Sequence, residues 1–170
     1  AATSNATAFT VGKVNLTGTF TASDKTYDGN TTATVTARNL TGVVGADVVT
    51  LTGGTATFDT KNVGAGKTVT LTGATLTGAN ATNYTLATVN TTTAAITAKA
   101  LTITGLTAQN KVYTGTLPAA LTGTAALAGI VGAEAVALTG TAAGAFATVG
   151  VGAGKNVTVS GLTLTGGDAG

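Results

Sequence analysis

The sequence has no cysteine, histidine, methionine or tryptophan, and only one proline and three serines. Without cysteine or histidine there is no disulfide framework and no thiolate or imidazole metal site. Cys–His and Ser–His–Asp nucleophile systems are excluded as well. No enzyme class finds support in what remains, and neither a catalytic residue nor a cofactor is expected. Charge is also scarce: seven Lys and one Arg stand against five Asp and one Glu in 170 residues, a net +2. Binding to a nucleic-acid backbone needs clustered cations, and here they are scattered singly, so nucleic acid is not an expected partner. No apolar run approaches the roughly 18 residues of a membrane-spanning helix, so membrane insertion is not expected. The chain opens Ala1-Ala2-Thr3-Ser4, with no initiator Met and no charged or apolar leader. That suits either a processed secreted protein or a segment of a longer one.

What is present is equally skewed. Thr (42), Ala (33) and Gly (25) supply 100 of the 170 residues, while Val, Leu, Ile and Phe together supply 38. That apolar share lies just above the level at which chains stay disordered, so the core is expected to be thin.

Internal repetition organises the chain. Lys13 and the segment Lys25-Thr26-Tyr27-Asp28-Gly29 return 86 residues later as Lys99 and Lys111-Val112-Tyr113-Thr114-Gly115. Phe58–Gly73 (FDTKNVGAGKTVTLTG) returns 88 residues later as Phe146–Gly161 (FATVGVGAGKNVTVSG). A unit of this length suits a small globular β module and is too long for one coil of a β-helix. Within each unit apolar and hydroxyl residues alternate, as in Thr68-Val69-Thr70-Leu71-Thr72 and Leu162-Thr163-Leu164-Thr165. A period of two sets Val69 and Leu71 on one face and threonines on the other. Threonine is β-branched and suits an exposed pleated surface without adding charge. Gly-containing breaks recur about every ten residues, the punctuation of a sandwich or barrel. Pro118–Ala128 is Ala-rich, but its aligned partner Thr31–Thr41 reads as strand, so both are assigned to strand. The reading is all-β: two tandem β-sandwich-like (Ig-like) modules at 13–98 and 99–170, preceded by a strand within 1–12.

Three motifs in fixed order carry a family resemblance. Lys25-Thr26-Tyr27-Asp28-Gly29, Val63-Gly64-Ala65-Gly66-Lys67 and Asn83-Tyr84-Thr85-Leu86 resemble the YDG repeat, found in tandem in long bacterial surface and secreted adhesins. The second copy departs from the pattern, with Thr114 in place of the Asp and no Asn-Tyr-Thr-Leu element, although Lys111, Tyr113, Gly115, Gly152, Gly154 and Lys155 are retained. The resemblance implies an extracellular, mostly β stalk or adhesin repeat, and it brings no catalytic residues.

The two ends complement each other. Copy two reaches Leu164-Thr165-Gly166 and stops at Gly170, so its final strand is missing, whereas Asn5-Ala6-Thr7-Ala8-Phe9-Thr10-Val11 resembles Asn80–Leu86. An unfinished sandwich leaves an apolar slot and unpaired backbone groups. Donation of the N-terminal strand to the next subunit, with Asn5, Thr7, Phe9 and Val11 as the polymerisation strand, would fill that slot and produce a head-to-tail homopolymer. The same pattern also fits a window cut from a longer repeat array, and it fits a monomer closed on its own strand. The expected role is a structural subunit of a surface filament or adhesin stalk, with a carbohydrate- or receptor-binding module as the alternative.

Other motifs have plainer readings. Gly64-Ala65-Gly66-Lys67-Thr68 resembles the tail of a phosphate-binding loop, but a strand-like run follows where a helix is needed, so a hairpin turn with a Gly at positive φ is expected. Asp28-Gly29 reads as a turn, with Tyr27 and Tyr113 packed at a module corner. The carboxylates are too dispersed to promise a calcium site. Eight of the ten Asn fall in Asn-x-Thr triplets, which period-two strands produce without any glycan. The recurring lysines are read as edge guards against uncontrolled pairing.

Overall fold

A computed structural model of the chain describes residues 8–168. Among the described residues the regular structure is thirteen strands and one three-residue 3-10 turn. The chain divides into two compact units, Ala1–Ala98 and Lys99–Gly170.

The first unit holds β1 (Val14–Ala22), β2 (Lys25–Thr26), β3 (Thr32–Ala33), β4 (Val35–Thr41), β5 (Thr50–Phe58), β6 (Gly64–Thr77), β7 (Tyr84–Val89) and β8 (Thr92–Thr97). They form two sheets, in the orders β4-β1-β7 and β2-β8-β6-β5-β3. Pairing is antiparallel except for β1 with β7 and β2 with β8. The core lies between the sheets. Phe20 of β1 meets Ala56 and Phe58 of β5, Val69 and Leu71 of β6, and Ala94 and Ile96 of β8. The alternation read from the sequence sets this up: along β6, Val69 and Leu71 are buried while Thr68, Thr70 and Thr72 are exposed. Outward threonines pair across strands, as at Thr50 and Thr77, whose hydroxyls lie 2.9 Å apart.

The second unit holds β9 (Thr102–Ala108), β10 (Pro118–Ala119), β11 (Leu121–Ala128), β12 (Ala137–Phe146) and β13 (Val157–Thr165). Its sheets are β11-β9 and β10-β12-β13. These five repeat β1, β3, β4, β5 and β6 in order, and the Ala-rich Pro118–Ala128 stretch is strand as expected. Among the described residues nothing corresponds to β7 or β8. The sequence suggested one strand lacking; the sandwich of the first unit has two beyond Gly78. The loss propagates to neighbours. Lys111-Val112, the repeat of β2, forms no strand, because β2 pairs only with β8. Gly152–Asn156, the repeat of the first five residues of β6, also forms none, because that half of β6 pairs with β8.

Burial follows the same division. Among the described residues, the buried apolar ones are Leu16, Phe20, Leu51, Ala56, Phe58, Val69, Leu71, Tyr84, Ala94 and Ile96 in the first unit, and Ala119 in the second. Leu16 is fully buried beside β7, whereas its repeat Ile103 is 45% exposed. Phe58 and Val69 are buried; their repeats Phe146 and Val157 are half-buried.

Candidate functional site

The residues of the first two repeat motifs meet at one end of each unit, where they form lysine clasps, while Tyr84 of the third pairs with Val14 at the start of β1. In the first unit, Lys25 Nζ donates to Asp28 Oδ1 at 2.7 Å, to the Asn30 carbonyl at 2.8 Å and to Asn30 Oδ1 at 3.0 Å. The same ammonium sits 5.5 Å from the centre of the Phe58 ring. Asp28 Oδ1 also accepts the Asn30 N–H. Between them Gly29 takes φ 79°, the left-handed region that favours glycine. In the second unit Lys111 Nζ donates to the Thr116 carbonyl at 2.6 Å and to the Pro118 carbonyl at 3.0 Å, over the Phe146 ring at 5.6 Å. Gly115 repeats the φ of Gly29, at 68°. Thus Thr114 replaces Asp28 without loss of the clasp. The lysine and the carbonyl five residues on carry it, which is why the Asp is dispensable.

A second clasp repeats in the same way. Lys67 Nζ donates to Thr60 Oγ1 at 2.7 Å and pairs with Asp59 at 2.8 Å. Lys155 Nζ donates to Thr148 Oγ1 at 2.6 Å and to the Gly150 carbonyl. These lysines tie down the loop that precedes the strand, a role different from guarding an edge. Thr60 and Thr148 were not among the expected site residues, although each stands seven residues before its lysine. Hydrogen bonds from Lys67 and the Thr60 N–H hold the Asp59 carboxyl below the usual aspartate range, and Lys25 followed by the Asn30 N–H does the same for Asp28.

Gly66 and Gly154 take φ 60° and 64°, as the positive-φ reading requires. The expected hairpin turn is corrected, however. Gly64 opens β6, and the register against β8 shifts between Gly64 and Lys67, so the segment is a β-bulge. The β5–β6 connection lies earlier, at residues 59–63. Asn83 ends the 3-10 turn Ala81–Asn83. Tyr84 is buried; its hydroxyl donates to Asp47 Oδ2 at 2.6 Å and accepts the Val44 N–H at 3.0 Å, and the bond to Asp47 raises its pKa. This arrangement pins the 43–49 loop to β7.

The tyrosine pair splits. Tyr27 packs against the core cluster, whereas Tyr113 is 62% exposed, so the expected corner packing holds for Tyr27 only. The reason is β8. In the first unit β8 lies between Lys25–Thr26 and the start of β6, and the Tyr27 N–H donates to the Thr97 carbonyl at 2.8 Å. In the second unit that place is a cleft of about 590 Å³, lined by Lys111, Tyr113, Phe146, Val151, Lys155 and Val157 among others. Phe146 and Val157 in its lining are half-buried, and Tyr113 and Val151 are exposed. No single motif marks the cleft; only the fold of the first unit, laid over the second, does.

Of the expected polymerisation strand, Asn5 and Thr7 lie outside the described residues. Phe9 and Val11 are exposed and belong to no strand.

The profile of the YDG domain matches residues 5–94 and again residues 97–170. No curated protein and no solved structure matches the chain. Two matches that together span nearly the whole sequence, on two units of one strand order, place the chain in the YDG-domain family.

Proposed function

We propose that the chain is an extracellular structural unit of a bacterial surface filament or adhesin stalk. Its modules join head to tail by donation of an N-terminal strand to the next subunit. The observation that supports this reading is that two β modules of one repeated strand order stand in tandem, their loops tied by the same lysine clasps. Among the motif residues, Lys25, Asp28, Lys67, Tyr84, Lys111 and Lys155 hold loops in place through hydrogen bonds. A thin core gains much from a neighbour's strand, because each added ladder bond and apolar contact is a large fraction of what the module already has.

Electron microscopy of the purified chain at rising concentration tests the proposal. Unbranched fibres about one module wide are the expected result, persisting in molar salt because apolar contacts and backbone bonds carry the assembly. Monodisperse single particles at every concentration would overturn it. Antibody labelling of intact source cells checks the location, and labelling only after permeabilisation would exclude the cell surface. Tyr113 favours one second reading, since an exposed aromatic in a cleft is what a carbohydrate-binding module needs. A glycan array showing binding lost with Tyr113→Ala would favour that reading.

A further inference from the structure

The first clasp contains more than it needs to hold its loop. Lys111 keeps the second clasp without a carboxylate or a side-chain amide, so Asp28 and the Asn30 side chain are extra groups in the first. Together with Lys25 they make a reactive set. Lys25 Nζ lies 3.0 Å from Asn30 Oδ1, which is one bond from the amide carbon, and 2.7 Å from Asp28 Oδ1. Asn30 Oδ1 also accepts the Thr32 N–H at 2.9 Å. The Asn30 N–H donates to Asp28 Oδ1 at 3.2 Å and so keeps the carboxylate beside the amide. The Phe58 ring stands 5.5 Å from the ammonium, and 17% of the Lys25 side chain is exposed. An amine, a carboxylate in contact with it and an amide carbonyl polarised by a backbone donor are the parts needed for amide exchange.

The second unit loses three of these parts together. The repeat sets Thr114 at the place of Asp28, Thr116 at that of Asn30 and Pro118 at that of Thr32, and the strands agree, since β3 and β10 begin at Thr32 and Pro118. The second clasp therefore has no carboxylate, no side-chain amide and, because proline lacks an N–H, no donor in the place of the Thr32 N–H. Lys111 Nζ donates instead to two backbone carbonyls and the Thr116 hydroxyl.

We propose that Lys25 and Asn30 form an intramolecular isopeptide bond in the first unit, with Asp28 as the proton carrier. This goes beyond the assembly reading and does not depend on it. The Lys25 ammonium passes a proton to Asp28. A turn of the Asn30 side chain about Cβ–Cγ presents Cγ to the free amine. As the Nζ–Cγ bond forms, the carbonyl electron pair moves onto Oδ1, where the Thr32 N–H stabilises the oxyanion. Asp28 returns its proton to Nδ2, the carbonyl reforms, and the Cγ–Nδ2 bond breaks. The spare proton on Nζ leaves by way of Asp28 with the ammonia. The net change is one Nζ–Cγ amide gained and one ammonium ion released, with no oxidant or cofactor. Holding amine and amide in contact supplies the effective concentration that such a step lacks in free side chains. The bond ties β2 to the residue two before β3 and does not open as an ion pair does.

Intact mass of the denatured 170-residue chain, followed by tryptic mapping, tests the proposal. The expected mass is one ammonia below that of the sequence. Trypsin is expected to leave residues 14–38 as one peptide, because an acylated lysine is not cut, and to cut normally at Lys111. Full sequence mass after prolonged incubation of the folded chain overturns the proposal. So does ammonia lost within residues 26–38 with Lys25 still cut, the mark of a succinimide at Asn30. Lys25→Arg and Asp28→Ala are each expected to restore full mass, and a loss that persists in Asp28→Ala overturns the proton-carrier role. A gain of reaction guards against a variant that merely misfolds. Thr114→Asp, Thr116→Asn and Pro118→Thr together are expected to remove a second ammonia and to block cleavage at Lys111. A single loss in that chain overturns the roles assigned to Asp28, Asn30 and Thr32.

Discussion

The two units share a strand order and a set of clasps, yet one closes and the other stays open. In the first unit, β7 and β8 cover Leu16, Phe58 and Val69. Among the described residues of the second unit nothing corresponds to those strands, the repeats Ile103, Phe146 and Val157 are partly exposed, and Lys111-Val112 and Gly152–Asn156 form no strand. The clasps do not weaken in step. Lys111 keeps the carbonyl five residues on and the aromatic ring that Lys25 has, and Lys155 the threonine hydroxyl that Lys67 has, while the carboxylate partners are replaced by Thr114 and Ala147. Loop geometry in this domain is therefore local and survives an incomplete sandwich, while core burial depends on strands supplied last.

The strongest way to break the comparison is to complete the second unit. Asp168 already repeats Asn80: its Oδ2 accepts the Ala135 N–H at 2.9 Å, as Asn80 Oδ1 accepts that of Val48 at 2.9 Å. Appending a copy of residues 83–98 after Gly170 is expected to stabilise the second unit by about 3–6 kcal/mol, the worth of burying two or three large side chains. Urea unfolding should then show the two units melting together, and an unchanged early transition would refute the strand assignment. Next in size is truncation of the core. Ile96→Ala should cost the first unit about 2–5 kcal/mol, whereas Val157→Ala in unassembled chain should cost under about 1 kcal/mol, because its site is already half open to water. Equal costs would show that the second core is better formed than its burial indicates.

Gly140→Ala comes third. Gly140 has φ 95° in the bulge between β12 and β13, and an added Cβ would collide with the Gly161 carbonyl of the facing strand. A loss of about 1–3 kcal/mol in denaturant midpoint is expected, the usual cost of one strained backbone position. The smallest effect concerns pH. Asp28 and Asp59 have lowered pKa values, so their stabilisation is fully present above the ordinary aspartate value of about 3.9 and fades as pH falls through the lowered values. The second unit has Thr114 and Ala147 at those positions and should not share this acid step. Amide exchange resolved by unit at pH 5 and pH 2.5 would show it, and parallel losses in both would remove the clasps as its cause.

Much of this was legible in the residues. The period-two runs assigned strand even to Pro118–Ala128, because repeat alignment overrode its alanine content. The positive φ of Gly66 and the turn at Asp28-Gly29 followed from local chemistry. The bulge at Gly64–Lys67 was not legible, because a bulge and a hairpin turn ask for the same glycine and differ only in which strand lies opposite. Tyr113 was misplaced for a related reason: its motif matches that of Tyr27, but its burial depends on β8, a strand more than sixty residues from Tyr27 in the chain.

The sequence by itself determined the strand periodicity, the repeat, and the loops tied by lysines, since each depends on residues close in the chain. Only the tertiary structure decided which strands lie side by side, and that β8 lies beside Tyr27 while Tyr113 is exposed. Burial is a property of what covers a residue, and in this domain the covering strands come from the far end of each repeat.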